Sequence, residues 1–167
     1  MNEALLEAFR HHVWATGRLV EFCGELPEDR LRSTAAGTYG DILATLNHLV
    51  ASDGSYLLRL AGSGPAWAED QDESADLSGL RARIDELAPL WEELLSRSVD
   101  AERVIVVDRG ANEVRAGVFV AQALHHGNAH REQVCAILTG LGIEPPDVQA
   151  WEYAWATGRL WKRPPGA

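Results

Sequence analysis

The stretch His125-His126-Gly127-Asn128-Ala129-His130-Arg131-Glu132-Gln133 decides how the chain is read. It lies inside an apolar pattern of helical period running from about residue 117 to Leu141, with Gly140, Gly142, Pro145 and Pro146 to stop it. Side chains four apart on a helix differ by about 40° around the axis, whereas a five-residue step is displaced by about 140°. His126 and His130 therefore share a face and can grip one ion, while His125 points elsewhere. A third ligand has to come from another helix. His48 is the candidate, midway along a second periodic stretch on its apolar side, with no charged residue within four positions. A histidine so placed needs a partner. Three neutral imidazoles hold a divalent transition metal at about 2.0–2.1 Å and leave one position open to water or substrate. Zinc or nickel is the expected ion. Blander readings stand beside this one: an HxxxH pair also suits two solvated histidines, and a lone core histidine can bond to backbone or to a carboxylate.

Working outward, Leu5, Leu6, Phe9, Val13, Leu19 and Val20 recur at three- and four-residue steps, which predicts a first helix over residues 2–26. The second, carrying His48, is expected to be capped by Thr38 with Asp41 returning the bond, and to close at Gly62. Residues 62–76 read as a surface loop pinned by Trp67. Leu77 to Leu95 gives a third helix, where Pro89 is expected to kink or fray it. Val104–Val107 and Val114, Val118 and Val120 flank a turn at residues 108–112, which suggests a hairpin before the fourth helix. A short last helix from Val148 to Leu160 carries Trp151 and Trp155, with Trp161 just beyond. The fold expected is all-α, a four-helix bundle with a short hairpin before helix four and a short C-terminal helix, as one domain over residues 1–167. The hexapeptide WATGRL occurs at 14–19 and again at 155–160 with unmatched flanks, and both copies are expected to pack alike at the bundle surface.

The composition sets limits. At 167 residues, 46% hydrophobic and 24% charged, the chain has the make-up of one globular domain. A formal charge of −10 disfavours phosphate backbones and anionic lipid surfaces, so neither nucleic acid nor membrane is an expected partner. No apolar run is long enough to span a bilayer and no signal peptide is visible, so a cytoplasmic location is expected. Cys23 and Cys135 have no CxxC spacing and read as buried free thiols. No Ser-His-Asp set, phosphate-binding glycine loop or paired-carboxylate pattern is present, and no catalytic residue is assigned.

Two stretches carry a resemblance. HGNAHREQV at 126–134, together with His48 in TLNHLVASDGSYLLRLAG at 45–62, resembles the DinB/YfiT family of metal-binding four-helix bundles. There a histidine of the second helix and an HxxxH pair of the fourth, usually followed by Arg, Gly and Gln, hold a divalent metal. Here Arg131, Glu132 and Gln133 follow, with Glu132 in place of the usual Gly, and the family's helix end is matched by ILTGLGIEP at 137–145. The resemblance implies metal binding by His48, His126 and His130. It also implies a low-molecular-weight thiol of the mycothiol or bacillithiol type as co-substrate in S-transfer, and a homodimer. Two other activities stay open: a hydrolase using metal-activated water, and a non-catalytic metal-binding dimer that senses or sequesters a small molecule. Gln133, seven residues after His126, shares the histidine face and is expected to orient a ligand or to make a helix-packing bond. Arg131 is expected to pair with an acid on a neighbouring helix, His11 and His12 to be solvated or to line a pocket, and Asn47 and Asp53 to lie off the face of His48.

Overall fold

Three of the four long helices begin where a short polar side chain can reach back over the first free amides. In the computed structural model, which describes residues 2–163, Asn2 caps α1 (Glu3–Cys23) through Leu5 N–H at 3.2 Å. Asp41 caps α3 (Ile42–Ala61) through Ala44 N–H at 2.7 Å, and Asp76 caps α5 (Leu77–Ser96) through Gly79 N–H at 2.7 Å. Thr38 is not the cap expected. Its hydroxyl turns back onto the carbonyls of Ala35 and Gly40, because the chain bends through Gly40 and helical geometry starts only at Ile42.

The fourth long helix, α6 (Ala116–Gly140), has no side-chain cap. Its first amides are taken by the chain ahead of the hairpin: Ala116 N–H donates to Arg103 and Gly117 N–H to Ala101, both at 2.9 Å. The hairpin itself pairs β1 (Val104–Val107) with β2 (Asn112–Arg115), Val104 opposite Arg115. Val118 and Val120 thus fall on the helix and not on a strand, since β2 ends where those amides begin to be satisfied. Pro89 does not end α5, which continues to Ser96. Two single-turn helices, α2 (Glu28–Leu31) and α4 (Ala66–Glu69), sit in connections that read as loop. The closing helix α7 is shorter than expected, Ala150–Ala156, because Gly158 turns left-handed at φ 71°.

The long helices form a ring in which α1 packs on α5 and α6, and α3 on the same two. Sequence neighbours α1 and α3 therefore stand across the core from each other. Phe9, Leu19, Leu46, Leu57, Leu87 and Trp91 fill it, none more than 2% exposed, each contributing on the order of 1.5–3 kcal/mol. The three C-terminal tryptophans stay outside: Trp151 and Trp161 are 73% and 72% exposed. The two WATGRL copies differ in burial and in backbone. The first is helical and mostly buried in α1, whereas the second straddles the exposed end of α7, where its glycine breaks the helix.

One polar node crosses this core, and all four long helices supply it. The Arg131 guanidinium on α6 donates to Thr16 Oγ1 (3.0 Å) and to His12 Nδ1 (3.2 Å) on α1. His12 Nδ1 must be the acceptor, since arginine only donates, so Nε2–H faces Asp53 of α3. Nε2 and Asp53 Oδ1 lie 3.1 Å apart but out of line for a hydrogen bond. Trp91 of α5 donates its indole N–H to Asp53 Oδ2 at 3.3 Å. His12 is thus buried at 2% exposure and not solvated. The 9-12-16-19 spacing turns it inward, and Gly127 opposite leaves room for its ring: a Cβ there would lie 2.7 Å from Nδ1 and closer still to Cε1. Arg131 meets no carboxylate directly, and burial pulls its pKa down to about 10 against the opposing charge of Asp53. His11 is half-buried and donates through Nε2 to the Val148 carbonyl at 2.8 Å.

Candidate metal centre

The helical period that sets His126 and His130 on one face of α6 also points that face at α3. His48 Nε2 lies 3.2 Å from His126 Nε2, which lies 3.1 Å from His130 Nε2. All three ligand atoms fall within 4.8 Å of one another. Two nitrogens held by one tetrahedral ion at about 2.05 Å stand about 3.3–3.4 Å apart. The spacing found is therefore close to the edge of a coordination polyhedron. His125 is exposed and takes no part, as its five-residue step to His130 requires. Among the described residues, no fourth His, Cys, Asp or Glu joins the cluster.

The ring nitrogens pointing away from the cluster decide its protonation. His48 Nδ1 is 2.8 Å from Glu73 Oε1, and a carboxylate only accepts, so that nitrogen carries the proton. His130 Nδ1 is 2.9 Å from the Gln133 side-chain atom that also receives Tyr39 N–H at 3.1 Å. A backbone N–H can only donate, so this atom is the amide oxygen and His130 Nδ1 is again the donor. In their neutral form both histidines therefore turn the lone pair of Nε2 to the centre. Burial, reinforced by His130 and His48, holds the His126 pKa down to about 4. Burial also depresses His130, although its bond to Gln133 works the other way. At neutral pH an ion would therefore have no charging proton to displace from His126. With no ion bound, a proton on His126 Nε2 can bridge to the lone pairs of His48 and His130, and a cation would take its place once His126 carries its proton on Nδ1. The three residues fit a divalent transition metal on donor type and spacing, and His48 and His130 also on tautomer.

Gln133 sits behind His130 and not over the cluster mouth. Glu73 and Tyr39 were not singled out from the sequence. Tyr39 stacks on His48 with ring centroids 4.0 Å apart and planes 12° from parallel, and its ring is edge-on to His130. Tyr56 meets His126 edge-on at 5.7 Å. No sequence signal marks Glu73 among the acids of its loop, because its role comes from where that loop lands.

The sequence profile of the DinB family matches residues 1–165. The chain belongs to the DinB family. A crystal structure of a DinB-like protein from Bacillus cereus ATCC 10987 has the same fold, with TM-score 0.64 over 89% of this chain and 97% of that one. At 15% identity it speaks for the DinB fold alone. No curated protein matches the chain. Within the DinB bundle, then, the helix faces that pack α3 on α6 also bring together the three histidines. Among the described residues no helix is long and apolar enough to cross a membrane.

Proposed function

We propose that this DinB-family chain is a metal-dependent enzyme that transfers a low-molecular-weight thiol, of the mycothiol or bacillithiol type, to a small electrophile. The observation that carries the reading is the incomplete ligand set: three converging Nε2 atoms, no fourth protein ligand among the described residues, and a His48 side chain 24% exposed. Such a centre has room for one exogenous group. When bound, a divalent ion there would supply a Lewis acid that lowers the pKa of a thiol toward neutrality. His48, His126 and His130 would hold it, and imidazole ligands accept zinc, nickel and other borderline metals. Glu73 and Gln133 would aim two of the rings, and Tyr39 would close one flank of the opening. In the transfer, the sulfur–carbon bond forms as the bond to the leaving group breaks. The leaving group departs with the electron pair, and the thiol proton passes to solvent or to that group.

The partners proposed are a thiol and a small electrophile, with the protein acting as a homodimer in which the exposed Trp151 and Trp155 are available for contact. Sedimentation at several concentrations tests the assembly. The activity is tested by elemental analysis of protein purified without chelator or nickel resin, followed by a screen of thiols against model electrophiles. One equivalent of metal and thiol-dependent loss of electrophile, both absent in His126→Ala, are expected. Bound metal with no turnover for any thiol would leave the non-catalytic reading, and cleavage without thiol would favour a hydrolase.

A further inference from the structure

The loop after α4 is held as if to deliver a single carboxylate. Asn47, 3% exposed, grips Ala75 twice: its Nδ2 donates to the Ala75 carbonyl at 2.8 Å, and the Ala75 amide donates to its Oδ1 at 3.0 Å. On the opposite flank Arg83 of α5 forks onto Asp72, meeting both its main-chain carbonyl and its carboxylate. The Asp72 carboxylate also accepts from the amide and hydroxyl of Ser74. Glu73 lies between the two clamps. One of its oxygens accepts a hydrogen bond from His48 Nδ1–H at 2.8 Å, and the other is 3.4 Å from the Tyr39 hydroxyl.

An exposed carboxylate–imidazole contact contributes little when both partners are free to move, because ordering them offsets most of the gain. Glu73 is 39% exposed, yet its backbone is immobilised on both sides by groups that do not touch the cluster. The fold needs the clamps to seal the loop onto α3 and α5. It has little need of Glu73 itself, whose visible consequence is the tautomer and aim of one ligand ring. Partners of this kind raise ligand basicity and typically change metal affinity about 10–100-fold.

We propose that this loop tunes how tightly the centre holds its ion. Glu73 is the positioning residue for His48, and Arg83 and Asn47 act on the metal only through Glu73. The proposal rests on the metal-centre reading above. Its test uses the full chain, with zinc affinity measured by competition against a chromophoric chelator and ligand geometry by the absorption spectrum of the cobalt(II) form. Glu73→Ala should weaken zinc binding about 10–100-fold and alter the cobalt spectrum, with the melting temperature of the metal-free protein unchanged. Arg83→Ala should weaken zinc binding by a smaller factor, and should cost nothing further in the Glu73→Ala background. Wild-type affinity in Glu73→Ala, or an Arg83→Ala loss that persists undiminished in the double variant, overturns the proposal. Should Arg83→Ala misfold, Asn47→Ala carries the same double-variant comparison, and Glu73→Ala alone remains decisive. His126→Ala separates the two layers: a wild-type protein that binds no more zinc than this variant refutes the metal reading itself, and with it the proposal.

Discussion

Gly127 is where a single methyl group sets two helix-level effects of opposite sign against each other. Inside α6, replacing glycine with alanine should stabilise by about 1 kcal/mol through helix propensity alone. The structure predicts the reverse. A Cβ at this position would stand 2.7 Å from His12 Nδ1, closer to Cε1, and 3.1 Å from the Arg131 guanidinium. All three atoms belong to the buried node and have nowhere to retreat. Overpacking of this kind costs about 1–3 kcal/mol. Breaking the Arg131–His12 bond would leave a buried polar group unmet for about another 1–3 kcal/mol. After subtracting the propensity gain, the net loss is about 3 kcal/mol, with a span of about 1–5. For a domain this size that lowers the melting temperature by about 6–12 °C. The assay is thermal and urea unfolding followed by circular dichroism in the presence of chelator, so that metal linkage does not enter. Gly140→Ala is the control, because it lies in the same helix with nothing within 4 Å of the added carbon, and it should be neutral or stabilising by up to about 1 kcal/mol. If Gly127→Ala proves as stable as wild type, the close approach of α1 to α6 through His12 is wrong.

Further expectations follow from the same node and its surroundings. Arg131→Met should destabilise by about 1–3 kcal/mol, since it leaves buried His12 Nδ1 without its donor; urea unfolding of the metal-free protein measures it, and a neutral result would show that the node does not depend on the guanidinium. Burial pushes the Cys23 thiol up to about 12 and Cys135 to about 11. At pH 8 about one Cys23 in ten thousand should be thiolate, so thiol reagents should label the native protein far more slowly than the denatured one. Because both folded-state values are raised, the associated stability is present below pH 9 and declines as pH climbs from there, which unfolding at pH 8 and pH 10.5 would register. His125→Ala should retain the metal that His126→Ala loses, and equal losses would refute the facial argument for the centre.

The same helical geometry explains why so much of the site was legible in advance. His126, His130 and the excluded His125 are related by rises and rotations within one helix, and those are set by backbone hydrogen bonding irrespective of what packs outside. The period of α3 likewise carries His48 to the edge that meets α6, where its side chain stays 24% exposed. What could not be seen was which side chains arrive behind the rings. Glu73 comes from a loop 25 residues after His48, and Tyr39 from the bend before α3. Neither carries any periodic signal. Gln133 meets His130 within its own helix, but its second partner, the Tyr39 amide, depends on the path of the loop holding Tyr39.

By itself, the amino-acid order determined the elements: four amphipathic helices, a short hairpin and three histidines on two facing surfaces, all consequences of spacing within a few turns of chain. The tertiary structure alone decided the partners. His12 and His11 are adjacent, but only His12 is swallowed, because Gly127 of a distant helix leaves a hollow opposite it. WATGRL shows the division most sharply. Six identical residues are a buried helical turn at 14–19 and an exposed helix end at 155–160, where Gly158 adopts a positive φ that its counterpart Gly17 does not. Local propensity is too weak, at a fraction of a kcal/mol per residue, to choose between those outcomes. The apolar surface that a neighbouring helix offers to one copy, and not to the other, makes the choice.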